Sequence, residues 1–417
     1  MDTLFSKVTA VLPDGSVKNN AYVGVGAGII TYVGSEPPAE AALAVIDGTN
    51  KVLSPGLVNA HTHLPMTLLR GFADDMDLQT WLFEHIFPAE DKLTGELVYT
   101  GSLLALMECI ASGTTSVSDM YFFESDVARA VAESGMKANL CRPFQGLENH
   151  ETRLREATEM IEQYHGYDNG RILIDASVHA EYTSSPAIWE AAVRLASENH
   201  LRMHTHLSET AREHSECVAK YGMTPAAVFD RYGLFSVPVT AAHCVHVTDG
   251  DIVILAERGA TAVHNPVSNL KLNSGVARVR EWQKGGVNAA LGTDGAASNN
   301  SLDLFEEMKA AAILASGENP LTAAGSLRLA TVNGAVSQGR KSGQIAEGCD
   351  ADLILLDFDK PHLLPLHNVI SSLVYSARGS DVCLTMVSGK ILYRDGEFLT
   401  IDRERVLRGA RKAACIF

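Results

Sequence analysis

The chain is short of cysteine, short of positive charge, and without any long apolar run. Its seven cysteines, at 109, 141, 217, 244, 349, 383 and 415, are scattered, odd in number and never spaced Cys-x-x-Cys. That pattern excludes a disulfide frame and points to buried thiols in a reducing compartment. Thirty-four Lys and Arg stand against fifty Asp and Glu, a net charge of −16. A nucleic-acid surface, which needs clustered cations to meet phosphates, is therefore not expected. No apolar stretch reaches the roughly 20 residues of a bilayer span, so no membrane partner is expected. The start, Met1-Asp2-Thr3-Leu4-Phe5-Ser6-Lys7, lacks the basic and apolar regions of a secretory signal. The expected location is the cytoplasm. Repeats of fixed period, low-complexity tracts and extended linkers are also missing.

What is present is an alternation. The 417 residues are 46% hydrophobic and 20% charged, ordinary for an enzyme with a large core. Between residues 56 and 295, short apolar, β-branched runs alternate with longer amphipathic ones. Strands are predicted at 56–63, 114–121, 136–143, 172–179, 201–208, 237–245, 260–266 and 286–294. Helical patterns lie between them, with two more at 301–316 and 322–336. Eight strands alternating with helices predict an α/β fold, a (β/α)8 TIM-like barrel. The main rival, an open doubly wound sheet, lacks its Gly-rich phosphate loop after the first strand. Residues 1–55 and 346–417 carry strand-and-turn signals instead, such as Asp14-Gly15 and Asp395-Gly396. The predicted organisation is a barrel over 56–345 and one composite β-sandwich built from 1–55 plus 346–417.

Chemistry-bearing residues recur at the ends of the predicted strands. His61 and His63 end the first, and i, i+2 side chains share a face of a strand. His179 ends the fourth, His206 the fifth, His243 the sixth and Asp294 the eighth. In a (β/α)8 barrel the strand C-termini build the site. Three imidazoles and a carboxylate (His61, His63, His206, Asp294) suit one divalent metal with a position left for water. Zinc best matches that donor set, with iron as the alternative. Glu209, three residues past His206, and a non-ligating His243 form a candidate general acid/base pair. A carbamylated-lysine binuclear site is not expected, because no lysine occurs between Lys137 and Lys220.

These motifs carry a resemblance. Pro55-Gly56-Leu57-Val58-Asn59-Ala60-His61-Thr62-His63, His206-Leu207-Ser208-Glu209, His243-Cys244-Val245-His246 and Gly292-Thr293-Asp294-Gly295 resemble the amidohydrolase superfamily. More narrowly, His63-Leu64-Pro65-Met66-Thr67-Leu68-Leu69-Arg70-Gly71, Trp81-Leu82 with Phe87-Pro88-Ala89-Glu90, and Thr293 through Asn300 resemble the methylthioadenosine/S-adenosylhomocysteine deaminases. The resemblance implies a mononuclear zinc or iron site on His61, His63, His206 and Asp294. It implies a small-molecule nucleoside substrate, hydrolysed at C6 of adenine with release of ammonia. Glu209 would serve ring N1, with His243 and Asp294 handling the protons of water and departing ammonia. Glu90 would hold the ribose hydroxyls and His179 would contact the nucleoside. Arg142 and Arg153 would receive the carboxylate of S-adenosylhomocysteine. Guanine deaminase or a triazine amino- or chlorohydrolase is the alternative within the superfamily, though neither substrate needs Glu90 or Arg142. A metal-free scaffold on the same fold would be expected to have lost ligands, and none is missing. A homo-oligomer is compatible with the sequence.

Each residue also has a plainer reading. His179 in isolation would cap a loop, and the following Glu181 stands where the family usually has proline. Glu90 and Arg153 suit a helix start and a solvated helix face. Trp81 among Leu78, Leu82 and Phe83 suits a core position, and Asp119 suits either site support or loop capping. His204, His246 and His264 are read as structural.

Overall fold

The computed structural model describes residues 1–146, 150–317 and 320–417. All eight predicted strand positions are occupied. After β1 (Thr3–Val11), β2 (Val17–Gly26), β3 (Ile29–Gly34), β4 (Ala44–Asp47) and β5 (Lys51–Pro55) come β6 (Leu57–Thr62), β7 (Thr114–Met120) and β8 (Lys137–Cys141). β9 (Ile172–Ile174), β10 (Ala176–Ser177), β11 (Met203–Leu207), β12 (Val239–His243), β13 (Thr261–His264) and β14 (Asn288–Leu291) complete the series. All pairings among β6 to β14 are parallel. These strands are almost wholly buried, as expected where helices cover a parallel sheet. Helices Gly95–Ala111, Glu124–Ser134, Pro186–Glu198, Ala211–Tyr221 and Leu304–Leu314 fall inside the predicted helical segments.

The predicted fourth strand is two pieces. Asp175 N–H donates to Leu140 O (2.9 Å), whereas Ala176 N–H donates to Arg202 O (2.8 Å). The hydrogen bonding thus changes partner at Asp175, and it separates sheet β6-β7-β8-β9 from sheet β10-β11-β12-β13-β14. The far edges of these two sheets also approach each other. Asp294 N–H donates to His61 O at 3.0 Å, and Asn59 exchanges hydrogen bonds with Thr293 at 2.7 and 3.1 Å. Gly292 makes that approach feasible, since a Cβ there would lie 2.7 Å from His61 O.

The two chain ends meet, but not as two hydrogen-bonded sheets. They form one nine-stranded sheet in the order β18-β17-β16-β15-β5-β1-β2-β3, with β4 beside β1. Here β15 is Leu353–Asp357, β16 Val382–Val387, β17 Lys390–Arg394 and β18 Glu397–Phe398. The reason lies in β5. It pairs parallel with β1 and antiparallel with β15, so the ends are joined edge to edge. Phe5, Val23, Leu53, Leu355 and Met386 share the buried core of this sheet. Lys137 Nζ at the start of β8 reaches Asp350 and Asp352, each at 2.7 Å, and ties the sheet to the parallel strands. The helix Arg403–Ala413 was not predicted from the sequence. It packs on Gly95–Ala111, with Val406 in the same core as Leu103.

Candidate active site

The parallel strands deliver their C-terminal residues to one cavity of about 600 Å³. His63, His206, His243, Glu209, Asp294 and His179 supply its polar lining, and Met66, Leu78, Trp81, Leu82, Phe122 and Leu272 are among its apolar walls. His243 and Asp294 both hold positive φ, +71° and +61°. Such conformations are costly for non-glycine residues and are tolerated where a site requires them.

The predicted ligands converge. One ligand atom from each of His61, His63 and His206 lies within 4.8 Å of the others, and the same holds for His61, His243 and Asp294. Asp294 Oδ1 is 3.4 Å from His61 Nε2 and 3.2 Å from His63 Nε2. Each ring is oriented through its other nitrogen. His63 Nδ1 donates to Met120 O at 2.6 Å, and His206 Nδ1 donates to His179 O at 2.8 Å. These bonds place the Nδ1–H tautomer and leave both Nε2 lone pairs directed into the site. His61 Nδ1 meets His204 Nε2 at 2.9 Å. Buried His61 Nε2 has no protein hydrogen-bond partner. An imidazole nitrogen orphaned among two further imidazoles and a carboxylate is what a divalent-metal ligand looks like without its ion, so the donor set fits zinc or iron. Asp294 Oδ2 is held by the hydroxyls of Ser268 (2.6 Å) and Ser298 (2.7 Å). Burial raises the Asp294 carboxyl, but hydrogen bonds from His61 and His63 outweigh it and keep it well below the usual range.

Glu209 and His243 stand side by side, with Oε2 to Nε2 at 3.8 Å. Burial pushes the Glu209 carboxyl upward, against the opposing pull of His243. Ser274 Oγ donates to Glu209 Oε1 at 3.1 Å, and His243 Nδ1 lies 2.8 Å from Asn269 Oδ1. Glu213 accepts the backbone N–H groups of Ser208 and Glu209 (2.9 and 2.7 Å) and so shapes the turn that presents Glu209. Ser274, Asn269, Ser268, Ser298 and Glu213 were not anticipated as supports. The only signal for three of them was the run of polar residues Asn265, Ser268 and Asn269 just after a buried strand.

The remaining predicted residues are placed as follows. Glu90 lines the cavity, and burial lifts its carboxyl to about 7 despite hydrogen bonding to Tyr121. His179 also lines it, its Nδ1 2.8 Å from Thr183 Oγ1. Trp81 is both core and wall, 5% exposed and facing the cavity. Arg142 does not line this cavity. Its Nε pairs with Glu156 at 2.7 Å, and its guanidinium sits 5.1 Å over the ring of Phe122, a cavity wall. Arg153 lies beside Gly146, close enough to Arg142 for the two charges to repel. Asp119 caps a loop, accepting Leu64 N–H at 2.5 Å next to His63. Glu181 is buried against Lys220 at 3.6 Å, away from the lining residues.

With this geometry in place, sequence comparison decides the lineage. The amidohydrolase family model matches residues 52–392. The chain belongs to the amidohydrolase family. This amidohydrolase is 46% identical over 411 residues to a 5-methylthioadenosine/S-adenosylhomocysteine deaminase of Dictyoglomus turgidum, covering 97% of this chain and 96% of that one. It is 45% identical over 408 residues to a 5′-deoxyadenosine deaminase of Methanosarcina barkeri, covering 96% and 94%. Among solved structures, an adenosine deaminase of Xanthomonas campestris with bound zinc superposes with a TM-score of 0.94 at 36% identity, over 99% of this chain and 97% of that one. This amidohydrolase has no single helix, among the described residues, long and apolar enough to cross a membrane.

Proposed function

We infer that this amidohydrolase is a hydrolytic deaminase of 5′-modified adenosines, converting adenine to hypoxanthine with release of ammonia. The observation that carries this reading is the convergence of His61, His63, His206 and Asp294 on one point, with Glu209 and His243 paired beside it. The full-length similarity to deaminases of 5′-modified adenosines supplies the substrate class. We propose one divalent ion per chain, zinc before iron, held by those four residues. Such an ion supplies Lewis-acid activation of water.

The rest falls to side chains. A buried, readily protonated Glu209 delivers a proton to N1 as the water oxygen bonds C6. Ring aromaticity is lost at that step, and C6 becomes tetrahedral. His243 and Asp294 take the water's proton and return it to the exocyclic nitrogen. The C6–N bond then breaks, ammonia leaves, and the N1–H, C6=O lactam of hypoxanthine remains. Glu90 accepts hydrogen bonds from the ribose hydroxyls, and His179 contacts the nucleoside. Arg142, with Arg153 behind it, receives a carboxylate on the 5′ substituent. Guanine and triazines offer nothing to Glu90 or Arg142, which disfavours those substrates.

We further propose that β6 to β14 close as a (β/α)8 barrel over 56–345, the seams being Asp175 and the contact of Asp294 with His61. Residues 1–55 and 346–417 would form the companion β-sandwich domain, and the protein would work in the cytoplasm. The function is tested by following adenine-to-hypoxanthine absorbance and ammonia together, using adenosine, 5′-deoxyadenosine, methylthioadenosine and S-adenosylhomocysteine. Equimolar ammonia and hypoxanthine nucleoside are expected. Turnover of guanine or a triazine, with none of adenosines, would contradict the assignment.

A further inference from the structure

Beyond Phe122 lies a second depression of about 630 Å³, lined by Arg142, Glu124, Asp126, Glu156, Glu159 and Met160 among others. Phe122 lines both spaces, and Pro143, another wall of the first, accepts a hydrogen bond from Arg142 at 3.2 Å. A 5′ substituent leaving the catalytic cavity along Phe122 therefore enters this depression.

Its charge does not suit a simple anion. Among the described lining residues, four carboxylates accompany one guanidinium. Two of the four are committed elsewhere, Asp126 to Arg129 at 3.0 Å and Glu159 to Arg155 at 3.9 Å. The other two stand around Arg142. Glu156 is bound to its Nε, yet is 43% exposed on the helix His150–Tyr164 and so can swing away. Glu124 is only 3% exposed. Its Oε1 accepts Cys141 N–H at 3.1 Å, and its buried Oε2 has no hydrogen-bond partner. A buried acceptor without a donor is costly unless a ligand supplies one.

We propose that this depression is a receptor for a zwitterionic α-amino-acid tail, in which Glu156 and Glu124 recognise the α-ammonium while Arg142 takes the α-carboxylate. The proposal rests on the reading of Arg142 given above and adds the cationic half. In the absence of substrate, Glu156 occupies the carboxylate's place on Arg142. On binding, the tail carboxylate takes the guanidinium and Glu156 passes to the ammonium, so the ion pair is exchanged rather than lost. A tail with a carboxylate alone would displace Glu156 without compensating it.

The test compares kcat/KM for S-adenosylhomocysteine, its des-amino analogue 5′-(3-carboxypropylthio)-5′-deoxyadenosine, and methylthioadenosine. Wild type, Glu156→Gln, Glu124→Gln and Arg142→Ala are assayed after their thermal unfolding is matched. Ratios between substrates within each variant cancel any general loss. Wild type is expected to prefer S-adenosylhomocysteine to the des-amino analogue by about tenfold or more, and Glu156→Gln to reduce that preference several-fold. Glu124→Gln should act in the same direction. An unchanged ratio in both Gln variants would overturn the proposal. So would an equal gain on both acidic substrates in Glu156→Gln, since Glu156 would then only mask Arg142. Arg142→Ala separates the two levels: if it leaves the S-adenosylhomocysteine to methylthioadenosine ratio unchanged, the carboxylate reading itself fails.

Discussion

Glu209 Oε2 lies 3.8 Å from His243 Nε2 in a pocket where both side chains are buried. Ser274 and Asn269 hold the opposite ends of the two groups, so the pair is aimed rather than merely adjacent. A general acid/base group contributes about 10²–10⁴-fold to turnover. Glu209→Gln should lose turnover of that order while retaining its metal, because Glu209 moves a proton and does not ligate. Elemental analysis of the variant beside its kcat checks both halves. Loss of metal would make Glu209 a ligand, and near-normal kcat would remove it from catalysis.

His204 was read from the sequence as a structural histidine, and its contact gives that role a specific content. Its Nε2 meets His61 Nδ1 at 2.9 Å, so it selects the tautomer that turns His61 Nε2 into the site. Removing such an orienting partner typically costs about 10–100-fold in metal affinity. His204→Ala should bind zinc more weakly by that factor in competition with a chromophoric chelator. Unchanged affinity would show that His61 is oriented by other means.

Substrate choice turns on Arg142. A hydrogen bond to a charged partner is worth about 1.5–3 kcal/mol, or roughly ten- to more than a hundredfold. Arg142→Ala should lower the kcat/KM ratio of S-adenosylhomocysteine to methylthioadenosine by that order. Arg153→Ala should move it less, since Arg153 stands behind Arg142 beside Gly146. An equal loss on both substrates would assign these arginines to the fold.

Glu307 provides a pH test independent of catalysis. It is buried, accepts Asn299 Nδ2–H at 2.6 Å and Val267 N–H at 3.3 Å, and burial raises its carboxyl to about 8. Its folded pKa thus exceeds its unfolded one, about 4.3. The folded state holds the proton more tightly, so this stabilising contribution is full below about pH 4.3 and lost as pH rises toward 8. Glu307→Gln cannot ionise. Its Tm relative to wild type should therefore climb steadily between pH 5 and 8. A pH-independent Tm difference would mean that Glu307 is ionised throughout.

Much of the site was legible because its residues come in short-range patterns. His61 and His63 share a face by the period of a strand, and His206, His243 and Asp294 each follow a buried apolar run. Their convergence follows from the common direction of parallel strands. What was not legible depends on distant pairings. Glu156 is one of several acids on its helix, and nothing local marks it as the partner of Arg142. Ser274 and Asn269 lie in loops whose polar residues look alike until Glu209 and His243 are brought to them. The single sheet of the two chain ends depends on β5 pairing on both edges, which alternation of residues along a strand does not encode. The helix Arg403–Ala413 has only Val406 and Ala413 fully buried, so its apolar stripe is thin.

The central claim is that one metal, held by His61, His63, His206 and Asp294, is required for adenosine deamination. The most direct measurement is a zinc titration of chelator-stripped enzyme, with ammonia release from S-adenosylhomocysteine as readout. Activity should be lost on stripping and return linearly to a plateau at about one equivalent per chain. A plateau at two equivalents, or full activity in the stripped enzyme, would contradict it.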